Sequence, residues 1–121
     1  MRVLKDIFFY PWMSYQENNA NAVFINGPVP TLIDPGHSHL FGSVIEAMRR
    51  DGADAGQVRF VLLTHGHPDH VEASDRLDES ALRAISAKEF AFMQERIWMA
   101  LSPPFAAWIP PARISSFRCV K

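Results

Sequence analysis

Residues 62–70 read Leu-Leu-Thr-His-Gly-His-Pro-Asp-His and contain three of the five histidines of this 121-residue chain. Residues 58–63, which lead into this segment, are almost continuously apolar, as is typical of a strand covered on both faces. His65 and His67 are two positions apart, so in an extended stretch their side chains point the same way. The segment therefore predicts a metal site on a loop at the C-terminal end of a buried strand.

The residue types of this segment suit metal binding. Imidazole nitrogen and carboxylate oxygen are both good ligands for zinc and related metals. Asp69 and His70 are expected to face a second ion or a bound water, and Pro68 to bar a regular helix through the segment. Gly66 is expected to permit unusual backbone angles and a close approach. An ordinary polar loop is disfavoured, because three histidines and an aspartate would not cluster there without a reason.

Hydrophobic periodicity assigns the remaining elements. In addition to 58–63, strands are predicted at residues 5–10, 21–26, 29–34 and 82–85. Helices are predicted at residues 38–52 and 86–101, with a short helix and loop within 71–80. The second long helix opens on a Ser-x-x-Glu capping pattern at Ser86 and Glu89. The order of elements predicts a layered α/β (α+β) domain, a sheet covered by helices.

Bulk composition limits the classes of function. Hydrophobic residues make up 48% and charged residues 21% of the chain, as in ordinary globular proteins, and the length suits one domain. Twelve basic and 13 acidic residues nearly cancel, so nothing favours a nucleic acid or an anionic membrane as partner. Cys119 is the single cysteine, and Asp6 interrupts any apolar region of a signal peptide. We expect a cytoplasmic protein without a membrane span.

The segment from Leu62 to His70 resembles the His-x-His-x-Asp-His signature of the metallo-β-lactamase superfamily. Residues 21–36 also resemble the N-terminal hairpin of that family, which ends in Leu-Ile-Asp-Pro-Gly. The resemblance covers roughly residues 5 to 100 and implies an αβ/βα sandwich. The chain is expected to be a single domain of residues 1–121, truncated at its C-terminus, that holds the N-terminal half of that sandwich.

The resemblance also implies a function. His65 and His67 would bind a first metal, and Asp69 and His70 a second, with Asp34 as a supporting residue near the site. Family members are mostly zinc hydrolases, so the implied cofactor is zinc, two ions per complete site, with iron or manganese as alternatives. A metal-bound hydroxide, oriented by Asp69 as the catalytic residue, would attack an ester, thioester, lactam or phosphodiester in a small-molecule substrate.

The sequence departs from the family pattern after His70. The family completes its site with a further histidine, a bridging aspartate and a last histidine, but residues 71–121 contain no histidine and their last aspartate is Asp78. The chain could be a fragment, could pair with a complementing chain, or could form a homodimer that joins two half-sites. The alternative to an enzyme is therefore a non-catalytic metal-binding or interaction half-domain.

Three further residues are candidates to replace the missing ligands. His37 and His39 follow Asp34 in a loop that should lie on the same side of the sheet as the motif. We nevertheless expect them to be an ordinary polar pair in a surface loop or at a helix start. Glu72 is a nearby carboxylate, which we expect to be a solvated helix residue.

Overall fold

The computed structural model describes residues 1–100 and 117–120, and the side chains as far as Glu95. Within this part of the chain, seven strands form one mixed sheet and follow one another across it in sequence order. The strands are β1 (Arg2–Leu4), β2 (Ile7–Tyr10), β3 (Ala22–Ile25), β4 (Thr31–Ile33), β5 (Phe60–Leu63), β6 (Leu82–Ser86) and β7 (Phe117–Val120). The helices are α1 (Phe41–Arg50), α2 (Pro68–Val71) and α3 (Ala87–Ala100), with 3₁₀ turns at Ala55–Gln57 and Glu72–Arg76.

The topology brings several loops to one edge of the sheet. Strands β1 to β4 pair antiparallel, and β4 to β7 pair parallel. Parallel neighbours need a crossover, and α1, α2 and α3 lie in the three crossover connections. The carboxyl ends of β4 and β5 therefore meet at the same edge, which brings residues 34–39 close to residues 64–76.

The core lies between the sheet and α1. Phe41, Val44 and Met48 form the buried face of this helix, and they share one cluster with buried strand residues such as Phe24 and Leu32. Burial of each large apolar side chain contributes about 1.5–3 kcal/mol. The predicted helix at residues 38–52 is confirmed in type, but its regular part is shorter and ends before Gly52, which has a φ of 76°.

The prediction that β5 is covered on both faces is wrong. Val61 and Leu63 are buried in the core, but Leu62 between them is 37% exposed. On the neighbouring strand, Leu82 is also exposed. An apolar run thus indicates a strand here, but among the described residues only one face of that strand is packed.

The strands predicted at residues 5–10, 21–26 and 29–34 are confirmed with shorter bounds, and the one predicted at 82–85 extends to Ser86. The strand predicted at 5–10 begins at Ile7, because Asp6 adopts a φ of 62° in the turn between β1 and β2. In α3, Met93 is fully buried and Phe90 packs against the core, as the predicted apolar stripe requires. The stripe's other members, Ile97 and Leu101, lie outside the described side chains. None of the helices in the described residues is both long and apolar enough to cross a bilayer.

Tyr10 gives the fold a measurable pH signature. Burial raises the pKa of Tyr10 to about 12, and the Asp51 carboxylate acts in the same direction. The folded state therefore binds the phenolic proton more tightly than the unfolded chain, whose tyrosine pKa is about 10. This contribution to stability is complete below about pH 10 and is lost as the pH rises towards about 12.

The Tyr15→Phe variant leaves Tyr10 as the sole tyrosine, because the chain has two. We expect its tyrosinate absorbance to appear with a midpoint near pH 12 in the folded protein and about two units lower in denaturant. Equal midpoints in the two states would show that Tyr10 is not buried beside Asp51.

Candidate metal centre

The three histidines of residues 64–70 lie close together in space. The ring centroid of His65 is 4.7 Å from that of His67 and 3.9 Å from that of His70. The chain leaves β5 in an extended conformation and enters α2 at Pro68, so His70 turns back towards His65. As predicted, no helix runs through the middle of the segment, but a short helix that was not predicted begins at Pro68 itself. Proline fits the first helical turn, where its missing N–H would have no partner in any case.

Asp34 lies at the base of this cluster. Asp34 is buried, with a side chain that is 7% exposed, and its carboxylate accepts hydrogen bonds from the backbone N–H of Thr64, at 2.8 Å, and from the Thr64 hydroxyl. Its Oδ2 also lies 3.0 Å from Nδ1 of His70. Asp34 has a φ of 47°, a left-handed conformation that aspartate tolerates better than most residues. One buried carboxylate thus joins the ends of β4 and β5 and sits beside a motif histidine.

Nδ1 of His70 is buried and has no hydrogen-bond partner in the described structure. The nearby Asp34 oxygen is at ion-pair distance but outside hydrogen-bond geometry. At 3.0 Å, a small rotation of the ring would complete the hydrogen bond. In either case His70 faces a buried negative charge, which favours a cation nearby.

Asp69 lies on the outer side of the cluster. Its Oδ2 is 3.8 Å from Nε2 of His70 and accepts a hydrogen bond from the side-chain amide of Asn18. The backbone carbonyl of Asp69 accepts a further hydrogen bond from Ala20 N, at 2.9 Å. The loop before β3 therefore lies against the motif, a contact that the sequence interpretation missed because it spans about 50 residues.

The donor chemistry of these residues fits a metal of the zinc class. The ring of His65 adjoins those of His67 and His70 at the end of β5, and imidazole and carboxylate are donors that zinc prefers. Among the described residues, however, a set of ligand atoms within 4.8 Å of one another is formed by His37, His39 and Glu72 and not by the motif side chains. Asp34 stands behind His70, where metal-binding histidines commonly meet a carboxylate. The structure thus brings together the five residues that the sequence singled out, namely Asp34, His65, His67, Asp69 and His70.

Gly66 allows α3 to pack directly on the motif loop. A Cβ at Gly66 would lie 2.4 Å from Cγ and 3.1 Å from Sδ of Met93. The Gly66 N–H donates a 2.9 Å hydrogen bond to Glu89 Oε2. Ser86 caps this helix as predicted, accepting from Glu89 N at 3.3 Å. The φ of Gly66 is not among the positive ones, so the expected close approach is present and the expected unusual backbone angle is not.

Gly66→Ala is expected to destabilise the fold by about 1–3 kcal/mol, because the added methyl group would overpack the contact with Met93. Gly42→Ala is the matched control. Gly42 lies in α1, and a Cβ added there would meet no other atom within 4 Å outside the helix's own backbone. The control should stabilise by about 0.5–1 kcal/mol. Urea denaturation of both variants measures the difference, and equal stabilities would contradict the packing described for Gly66.

His37, His39 and Glu72 form a second cluster at the same edge. Nδ1 of His37 is 2.8 Å from Oε2 of Glu72, and the two histidine rings are 5.1 Å apart. The expectation that Glu72 is a solvated helix residue is wrong, because its side chain is 23% exposed and contacts His37. The two histidines lie in the turn that leads into α1, as expected, but the contact of His37 with Glu72 was not expected. The reason is topological, since parallel pairing of β4 and β5 brings together loops that are distant in sequence.

Comparison with known proteins identifies what this arrangement is similar to. The family model described as the metallo-beta-lactamase superfamily matches residues 15–81. A comparison with curated protein sequences finds no significant match.

Two solved structures illustrate the likeness. MEM-A1, a subclass B3 metallo-beta-lactamase from a soil metagenome library, is 20% identical with a TM-score of 0.64, over 96% of this chain and 43% of that one. A HARLDQ-motif mutant of a metallo-beta-lactamase from Cronobacter sakazakii is 18% identical with a TM-score of 0.64, over 78% of this chain and 37% of that one. At such identities the likeness shows the fold, and the chain spans less than half the length of either structure.

Proposed function

This chain belongs to the metallo-beta-lactamase superfamily, and on that premise we propose that it supplies the first metal-binding half of a metal-dependent hydrolase. The observation that carries the proposal is the convergence of His65, His67 and His70 at the end of β5, with ring centroids 3.9 and 4.7 Å apart. Zinc, when bound among such donors, supplies an activated water at neutral pH.

Four residues would hold the metal. His65 and His67 would bind the first ion, and Asp69 and His70 the second. Two zinc ions per complete site are proposed, and iron or manganese would accept the same donors.

Each carboxylate near the histidines has a distinct proposed role. Asp69 would orient the attacking water by accepting its proton in a hydrogen bond, because Oδ2 already lies on the cluster's outer side beside Asn18. Asp34 would fix the orientation of the His70 ring from behind, since its Oδ2 lies 3.0 Å from Nδ1 of that ring. Thr64 would help to fix the orientation of the His65 ring, since its hydroxyl contacts Asp34 and lies 3.0 Å from Nδ1 of His65.

The substrate is proposed to be a small molecule with a hydrolysable ester-type bond. Thioesters and small esters come first by analogy with hydrolases of this fold, and phosphodiesters and lactams follow.

The test is a hydrolysis assay with the zinc-loaded chain and chromogenic ester, thioester, phosphodiester and lactam substrates. We expect turnover of at least one substrate class, abolished by a chelator and restored by added zinc. Metal-loaded protein that cleaves none of the four classes would count against a hydrolase.

A second candidate function is a half-domain that is catalytic only with a partner. It is favoured because residues 71–121 contain no histidine, so they supply no further imidazole ligand to the motif. The partner would be a second copy or a complementing chain. Turnover that depends on protein concentration as a dimer does, or that appears only with a second chain, would favour this candidate.

A further inference from the structure

The cluster of His37, His39 and Glu72 lies beside the motif but has contacts of its own. One ligand atom from each of these residues lies within 4.8 Å of the other two. The superfamily signature, which occupies residues 65–70, includes none of the three. We propose that they form an additional site for a divalent cation of the zinc class, which clamps the loop after β4 to the turn after α2.

The donor set selects the class of cation. Two imidazoles and one carboxylate form a three-ligand set that zinc uses in proteins, with a water in the fourth position. Magnesium and calcium prefer oxygen ligands, so they should compete poorly here.

The charge around the cluster favours a cation. Glu17 Oε1 lies 3.2 Å from Nε2 of His39, and Asp75 Oδ1 accepts a 3.1 Å hydrogen bond from the Ser38 hydroxyl. Two carboxylates, those of Glu72 and Glu17, therefore contact the two imidazoles, which are neutral when they act as ligands. A dication would offset this negative charge, and Glu17 would orient the His39 ring.

The loop that carries the two histidines is held in place without a metal. The side-chain oxygen of Asn19 accepts a 2.7 Å hydrogen bond from the backbone N–H of His37. A Cβ at Gly36 would lie 2.5 Å from that same oxygen, and Gly36 has a φ of 92°, which suits glycine. A 2.8 Å backbone hydrogen bond from Ala73 N to Gly36 O connects the loop after β4 to the turn after α2. The ligands are therefore preorganised, which lowers the cost of binding.

A backbone hydrogen bond connects the loop of the proposed site to the motif. Gly36 N donates a 3.3 Å hydrogen bond to the carbonyl of His70, whereas the side chain of His70 faces Asp34, Asp69 and His65. A cation held by Glu72 would brace the helix that carries Asp69 and His70. The inference goes beyond the proposed function, since this site requires no hydrolysis.

The experiment uses the full chain with His65, His67 and His70 replaced by alanine, so that the motif cannot bind metal. Zinc chloride is titrated into this protein by calorimetry, and the melting temperature is recorded with and without zinc. We expect one bound zinc and a raised melting temperature, because a ligand that binds the folded state stabilises it. Adding His39→Ala should weaken binding by at least about tenfold and remove the melting shift.

His39 is the safest ligand to replace, because its side chain is 59% exposed. A second comparison is Glu72→Gln against Glu46→Gln, an exposed carboxylate on α1. Only Glu72→Gln should weaken zinc binding. In a chain with its motif histidines intact, His39→Ala should lower the number of bound zinc ions by one. This comparison does not require the triple variant to fold.

The proposal is overturned if the triple variant folds and binds no zinc, or if His39→Ala leaves its affinity unchanged. It is also overturned if His39→Ala and His65→Ala/His67→Ala remove the same single zinc, because the two clusters would then be one site. If neither the wild-type chain nor any variant hydrolyses a substrate, the proposed function is rejected. The zinc titration would still decide whether the second site exists.

Discussion

His65→Ala/His67→Ala is expected to abolish zinc binding at the motif and to lower chelator-sensitive hydrolysis by at least about 100-fold. That factor is the upper end of what loss of a single supporting residue costs, and this variant loses two of the four proposed ligands. The ring of His65 adjoins those of His67 and His70 at the end of β5. After the double substitution, His70 is the one imidazole of the motif that is left. The zinc-dependent rise in melting temperature should shrink as well.

The measurement is zinc content after dialysis, together with turnover of the best substrate. Glu46→Ala/Arg50→Ala provides a control with two exposed side chains of α1 removed. If the His65→Ala/His67→Ala protein retained full zinc content and activity, the metal centre would have to lie elsewhere.

Asp34→Asn is expected to weaken zinc binding at the motif by about 10–100-fold, the effect typical of residues that orient a ligand. Asparagine keeps the shape of aspartate and tolerates the φ of 47° at this position. It loses the negative charge that lies 3.0 Å from Nδ1 of His70. Asp54→Asn is the matched control, because Asp54 is exposed and also accepts a backbone hydrogen bond, from Gly56 at 2.9 Å.

Comparing Asp34→Ala with Asp34→Asn distinguishes the effect of Asp34 on zinc affinity from its effect on the free energy of unfolding. It leaves the backbone N–H of Thr64 without its 2.8 Å partner, and an unsatisfied buried donor costs about 1–3 kcal/mol. We therefore expect Asp34→Ala to weaken zinc binding and also to lower the free energy of unfolding, whereas Asp34→Asn mainly weakens zinc binding. Zinc affinity unchanged in both variants would remove Asp34 from the metal centre.

The sequence predicted those parts of the site that depend on local spacing. A separation of two positions in an extended stretch placed His65 beside His67, and their rings are 4.7 Å apart. The apolar run before them predicted β5, and the capping pattern predicted the start of α3 at Ser86. These features require only neighbours along the chain, so a single sequence is sufficient to find them.

The contacts that sequence reasoning missed join residues far apart in the chain. His37 and Glu72 are 35 positions apart, and Asn18 and Asp69 are 51 apart. The first contact follows from parallel pairing of β4 with β5, and the second also requires the antiparallel pairing of β3 with β4. No local pattern specifies either pairing. The placement of Pro68 was missed for a different reason. Proline disfavours the interior of a helix but favours its first turn, and the sequence does not say where the helix begins.

Residues 64–70 are proposed to gather their histidines and aspartate around a cation. The most direct measurement is an anomalous difference map, recorded at the zinc absorption edge from crystals of the zinc-loaded protein. We predict a peak within bonding distance of His65, His67, Asp69 and His70, at about 2.0–2.2 Å from their nitrogen and oxygen atoms. Fully loaded crystals with no anomalous peak among these four side chains would contradict the account.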